Sequence, residues 1–288
     1  MSSAYDELLD ATLRHLRDEK ERGVRFVSVS PDALAALSQP LARATAPVQK
    51  PVATAVAPLI AKPISAAPII IAAPKPAPAS SPEKLAALAE LRARALACMK
   101  CAHLASSRKN VVFGVGSVDA QLMFVGEAPG ADEDAQGEPF VGAAGHLLTK
   151  IIATMGLSRE SVYIANILKC RPDTPGESTG NRKPTSAEMT TCIPFLHEQI
   201  DLIKPKVIVA LGATAVEGLL GKLPVGITKL RGTWSEYRGT PLMPTYHPAY
   251  LLRNQALSEK RRVWEDMLAA MEKLSLPISE KQRGYFLK

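Results

Sequence analysis

From residue 83 onward the chain alternates short apolar runs with segments of helical period, and this alternation limits the fold more than any other feature. "PEKLAALAELRARALA" reads as a helix running into Cys98. "AQLMFVGEAPG" is an apolar strand ending in a glycine-rich turn, and "GAAGHLLTKIIATMG" is a helix closed by Gly156. "SVYIANILKC" is a strand, "TSAEMTTCIPFLHEQIDLI" a helix with a Ser/Thr start, and "PKVIVALG" a fully apolar strand. A helix "ATAVEGLLG", a strand "TPLMPTYH" with its loop "PAYLLR", and a last helix "EKRRVWEDMLAAMEKL" complete the series. Strands that are apolar throughout belong in a parallel sheet covered on both faces. The expected fold is therefore α/β, three-layered α/β/α, with a central, mostly parallel four-stranded sheet. In such sheets the site forms beyond the strand C-termini. That directs attention to "GEAPG", "NILKC", "LGATA" and "HPAYLLR".

The first 82 residues have a different character. Tyr5, Leu8, Leu9, Leu13 and Leu16 recur at helical spacing, which predicts an amphipathic helix within residues 1–25. Residues 47–82 hold nine prolines and no acid, so 26–82 is expected to be a disordered Ala/Pro-rich linker. The folded domain is expected over 83–275, with a C-terminal tail at 276–288. The N-terminus is charged and has no apolar core of a secretory signal, and no apolar run approaches the roughly 18 residues of a membrane span. A cytoplasmic, monomeric protein without a membrane partner is the expectation. Net charge is +7, with most of the basic excess after Glu83, which permits an anionic partner without requiring one.

There are four cysteines: Cys98 and Cys101 as a C-x-x-C pair, then Cys170 and Cys192 far downstream. A domain of about 200 residues needs no disulfide staples. In a reducing compartment such a set means metal or redox chemistry. The spacing itself suits a structural zinc site and an iron–sulfur cluster equally.

Residues 125–145 follow one strand with five glycines, two prolines and five acids. The segment is neither a Walker loop nor a GxGxxG turn, and its acids would repel a free phosphate. It offers the carboxylates of Glu127, Asp132, Glu133, Asp134 and Glu138 beside one aromatic, Phe140. That combination suits a flat, neutral ring whose bond to a sugar is to be broken, although taken alone the segment reads as a solvated acidic loop. His247 follows a strand end, and Tyr250, Leu251, Leu252 and Arg253 come directly after. A leucine wedge beside a phosphate-gripping arginine is what a DNA-distorting loop needs. Asn166 ends the strand "VYIAN", where its amide presents both a donor and an acceptor. That pair matches the O4 and N3–H edge of uracil.

"GEAPGADEDAQGEPFVGAAGHLL", "NILKCRP", "NRKPTSAEMTTC" and "HPAYLLR" together resemble the motifs of the family 4, iron–sulfur-containing uracil-DNA glycosylases, over about residues 84–275. The resemblance implies hydrolysis of the N-glycosidic bond of deoxyuridine in DNA, releasing uracil and leaving an abasic site. It implies a 4Fe-4S cluster held by Cys98, Cys101, Cys170 and Cys192. Uracil would contact Glu127, Ala128, Phe140, Asn166 and His247. Leu251 or Leu252 would fill the gap left in the duplex, and Arg253 would hold a phosphate. His247 would stabilise charge on the leaving base. A carboxylate would position the water: Asp134 first, then Glu127, then Glu133. Where family 1 enzymes carry an aspartate and a blocking tyrosine, this chain has Ala128 and Gly130. The Cys170–Cys192 spacing is longer than the family pattern, through "DTPGESTG". That insert lacks the histidine by which a related branch traps uracil covalently. A non-catalytic or uracil-trapping DNA-binding relative is the alternative reading. The C-terminal "KQRGYFLK" invites comparison with peptides that dock on replication clamps, against an end that packs its aromatics on the domain.

Overall fold

The structure is a computed structural model that describes residues 81–174 and 181–287. The expected N-terminal helix, nearly all of the proline-rich linker, and residues 175–180 of the polar insert lie outside the described residues.

Helix α1 (Pro82–Leu96) starts where Ser81 accepts a hydrogen bond from the Lys84 amide and Pro82 needs no N–H partner. It buries Leu91 and Ala95. A short α2 (Ala102–Ser107) follows directly after Cys101. The sheet comprises β1 (Val115–Gly116), β2 (Leu122–Gly126), β3 (Tyr163–Asn166), β4 (Val207–Leu211), β5 (Ser235–Tyr237) and β6 (Thr240–Thr245), in the spatial order β1-β3-β2-β4-β6-β5. Strands β3, β2, β4 and β6 pair in parallel. These are the four strands expected from sequence. The sheet has six because β1 and β5 add antiparallel edges. Both edge strands are only two or three residues long and lack an apolar run, so no periodicity marks them.

Why the central strands read as apolar throughout is visible in their packing. Leu122 and Phe124 of β2 enter one core, Met123 and Val125 the other. In β4, Val207, Val209 and Leu211 face one core and Ile208 and Ala210 the opposite one. Helices α4 (Ala143–Thr154) and α9 (Leu257–Lys273) cover one face through Leu148, Ile152, Trp264, Met267 and Met271. Helices α1, α5 (Ser186–Ile203) and α6 (Ala213–Leu220) cover the other through Leu91, Leu196, Ile200, Val216 and Leu219. The acidic segment is not a loop: it contains α3 (Ala131–Gln136). The "PAYLLR" segment is helix α8 (Pro248–Arg253), and a short α7 (Ile227–Leu230) precedes β5.

Residues 276–287, expected as a tail, continue the fold. Leu276, Ile278 and Tyr285 pack on the core that holds Leu148 and Trp264, and Tyr285 meets Trp264 edge-on at 5.6 Å. Helix α10 (Glu280–Arg283) presents the Gln282 carbonyl to Trp264 Nε1 at 2.6 Å. The Gln282 side chain donates to the Thr154 carbonyl and accepts from Ser279. Gln282, on which a clamp-docking peptide would depend, is spent on the domain itself. No helix of the described residues is long and apolar enough to cross a membrane.

Candidate active site at the strand ends

Parallel pairing brings the motif residues together, because their strands end at one edge of the sheet. Gly126 is opposite Asn166, and Leu211 is opposite Thr245. The segment after β2, the end of β3 and the residues after β6 enclose a cavity of about 420 Å³, within the range of ligand pockets. Glu127, Ala128, Phe140, Asn166, His247 and Arg253 all line it. Those six sequence-predicted residues thus share one site.

Asn166 is the most telling of them. It is 2% exposed, and its Oδ1 is a buried side-chain oxygen with no hydrogen-bond partner among the described residues. A buried acceptor left unpaired costs about 1–3 kcal/mol. Asn166 lines the cavity, and this unpaired acceptor stands within its wall. The Asn166 backbone is pinned: buried Lys169 donates from Nζ to the Asn166 carbonyl at 3.0 Å and to Gln199 Oε1 at 2.7 Å. Gly126 makes room for this amide, since a Cβ there would meet Asn166 Oδ1 at 2.4 Å and the Phe140 ring at 2.5 Å.

Phe140 is buried and has a positive φ of 55°, uncommon for a bulky residue. Its ring stacks on His247 with centroids 5.6 Å apart and planes 30° from parallel. His247 is the N-cap of α8, and its Nδ1 accepts from the Ala249 amide at 3.1 Å. An accepting Nδ1 leaves the proton of the neutral ring on Nε2. Burial first, and Arg253 second, lower the His247 pKa to about 4. The ring is therefore a neutral Nε2–H donor at physiological pH.

The three candidate carboxylates separate cleanly. Asp134 is 2% exposed and does not line the cavity. Its oxygens accept from the amides of Lys109 at 3.0 Å and Asn110 at 3.2 Å. This corrects its first place among the water-positioning candidates: it anchors the chain after α2. Glu133 lines the cavity, but Oε2 accepts from the Gly130 amide and Oε1 from those of Val141 and Gly142, each at 3.0 Å. Glu127 lines the cavity with no side-chain hydrogen bond or ion pair among the described residues. Replacing Asp134 with alanine is expected to lower stability by about 1–3 kcal/mol, because the Lys109 and Asn110 amides lose the buried carboxylate that accepts from them. Denaturant unfolding checks this, with Glu127→Ala expected to leave the midpoint nearly unchanged.

Helix α8 also divides the two leucines. Leu251 is 5% exposed and packs with Tyr246 and Val263, whereas Leu252 is 40% exposed. Leu251 is thereby corrected from wedge to core, and Leu252 is the free side chain. Arg253 is exposed at the cavity rim.

The four cysteines converge although the sequence scatters them. Cys98 follows α1, Cys101 caps α2, Cys170 lies just beyond β3 and Cys192 is in α5, and all line one small pocket with Arg108 and Leu168. None is in a disulfide. Arg108 Nη1 donates to Cys170 Sγ at 3.1 Å and the Lys169 amide to Cys192 Sγ at 3.3 Å. Burial raises the thiol pKa of Cys101, Cys170 and Cys192, the last to about 11. Among the described residues no group of three or more His, Cys, Asp or Glu is arranged to hold a single metal ion.

Several contributors carried no sequence signal of their own. Asn181 and Arg182, from the quoted "NRKPTSAEMTTC", form a wall of the cavity. Arg182 Nη1 donates to Glu188 at 2.9 Å and holds that carboxyl well below the usual carboxylate range. Lys169 and Gln199 fix the end of β3, and Arg159 holds the Phe140 backbone.

Comparison with known proteins agrees with this geometry. The family model described as "Uracil DNA glycosylase superfamily" matches residues 113–268. A Type-4 uracil-DNA glycosylase from Thermotoga maritima is 47% identical over 172 residues, which cover 59% of this chain and 85% of the relative. Proteins of the same description from Sulfurisphaera tokodaii and Saccharolobus solfataricus are 40% identical over 209 residues and 43% over 186. The first alignment covers 69% of this chain and 90% of the relative, the second 62% and 82%. With its strand-end site and its four converging cysteines, the chain belongs to the uracil-DNA glycosylase superfamily, beside the Type-4 enzymes.

Proposed function

We propose that this protein hydrolyses the N-glycosidic bond of deoxyuridine in DNA, releasing uracil and leaving an abasic site for base excision repair. The unpaired, buried Oδ1 of Asn166 in a cavity beside Phe140 and His247 carries this reading. The nucleotide is flipped from the stack into the cavity, and the base stacks on Phe140. The Asn166 amide pairs its acceptor with uracil N3–H and its donor with O4, and cytosine presents the opposite pattern. Glu127 and Ala128 border the base on the side of β2. As the C1′–N1 bond breaks, its electron pair passes to the base and negative charge gathers on O2. The His247 Nε2–H donates to that oxygen, a preorganised donor that needs no proton transfer to act. The sugar becomes cation-like, a water oxygen bonds to C1′, and the water's proton ends on uracil. Glu127, with its free carboxylate, positions this water. Leu252 enters the gap in the duplex and Arg253 holds a phosphate at the rim.

The donor set fits an iron–sulfur cluster: four thiols around one pocket, with N–H donors aimed at two sulfurs. Cys98, Cys101, Cys170 and Cys192 would hold a 4Fe-4S group, whose contribution when bound is to fasten α1 and α2 to the β3–α5 segment. Purified aerobically, the protein is expected to be brown with absorbance near 400 nm. Cys192→Ser is expected to lose that absorbance and to unfold at lower temperature, and a colourless protein containing zinc would refute the cluster.

The activity is tested by incubating the protein with oligonucleotides bearing one uracil, thymine or cytosine and measuring free base by mass spectrometry. Release of uracil alone is the expected result. Tight binding to uracil-containing DNA without release would instead identify a DNA-binding relative.

A further inference from the structure

We infer that Arg159 is a positioning residue for the Phe140 ring, an inference that rests on the proposed activity only for its kinetic readout. Phe140 holds a left-handed backbone that a bulky L-residue rarely adopts. Something must impose it, and the contacts on either side of the residue show what does. Before it, Arg159 donates from Nη2 to the Pro139 carbonyl at 2.7 Å and from Nη1 to the Phe140 carbonyl at 3.0 Å. After it, the amides of Val141 and Gly142 both donate to Glu133 Oε1 at 3.0 Å. The peptide is gripped by a cation on its carbonyls and by an anion on its amides. A guanidinium can reach two carbonyls at once because its donors form a rigid fork. Charge-assisted bonds of this kind are roughly twice as strong as neutral ones. Helix α4 approaches this peptide closely. A Cβ at Gly145 would stand 1.9 Å from the Phe140 carbonyl oxygen, so Gly145 leaves that oxygen free to meet Arg159. The product of the clamp is the ring's orientation against His247.

A double-mutant cycle tests this. Single-turnover uracil release is measured for wild type, R159A, F140A and the double variant. Arg159 acting through Phe140 predicts that R159A costs about ten-fold or more when Phe140 is present and less than about two-fold in the F140A background. R159K, which can reach one carbonyl, is expected to fall between. Equal losses in both backgrounds would overturn the inference, since a residue that merely supports the fold or grips DNA does so with or without the ring. Should R159A fail to fold, R159K serves in both arms of the cycle. A crystal structure of the Arg159 variant answers independently of activity. Phe140 is expected to return to negative φ with its ring displaced from His247, and an unmoved Phe140 would overturn the positioning role. A wild type that releases no uracil refutes the proposed activity alone and leaves this structural arm to decide on Arg159.

Discussion

Replacing His247 with alanine is expected to lower the rate of uracil release by about 10²–10³-fold while substrate binding changes little. The reason is the timing of the charge. The base oxygen is only partly negative in the bound substrate and becomes an anion as the bond breaks, so a donor aimed at it lowers the barrier more than it tightens binding. The Ala249 amide fixes the tautomer, and α8 fixes the ring's position. The same geometry dictates the pH behaviour. Burial holds the His247 pKa at about 4, below the ordinary 6.5. Between those values the unfolded chain takes up a proton at this residue that the folded chain refuses. This group therefore subtracts stability as pH falls from 6.5 towards 4, and adds nothing to the pH dependence above 6.5. The rate should show no His247 step near pH 6.5, with the acid loss displaced towards 4. A profile of kcat/KM on single-stranded substrate checks this: a rate lost as pH falls through 6.5 would contradict the lowered pKa, and a rate lost as pH rises through 6.5 would show that the ring acts as an imidazolium.

Asn166→Ala is expected to lower kcat/KM for uracil by about 10²–10³-fold, through loss of two hydrogen bonds to the base edge. Its stability cost should be small, because the wild-type Oδ1 is already unpaired and the substitution removes a buried polar atom that has no partner. A variant that is as stable as wild type, or more so, and nearly inactive would be the signature of an amide kept for the ligand. Thermal unfolding and steady-state kinetics on the same preparation measure both quantities. A large loss of stability with modest loss of rate would assign Asn166 a structural role instead.

Strand periodicity makes the sheet legible in the sequence. Continuous apolar runs at residues 122–126 and 207–211 reflect side chains that alternate between two buried faces, and a parallel sheet gathers the residues that follow its strands. Asn166, Glu127 and His247 stand at or just after such strand ends, and they line one cavity with Phe140. What the local backbone decides is not legible in the same way. Read as loops, residues 131–136 and 248–253 give no means of separating neighbours. As helices, they turn adjacent side chains about 100° apart. That is why Glu133 lines the cavity while Asp134 is buried away from its lining, and why Leu252 is exposed while Leu251 joins the core. Arg159 was invisible for another reason. Its contact with Phe140 spans nineteen residues and involves only backbone carbonyls on the far side, which no residue type announces. The short edge strands and the packing of Tyr285 on Trp264 are likewise tertiary outcomes without a local pattern.

The measurement that bears most directly on this account is strand cleavage at a single uracil. A labelled oligonucleotide is treated with wild type, His247→Ala or Asn166→Ala, then with alkali, which breaks the chain at abasic sites. The account predicts cleavage at the uracil by wild type and its near-complete loss in both variants, each still folded. No cleavage by a folded, brown wild-type protein would contradict it.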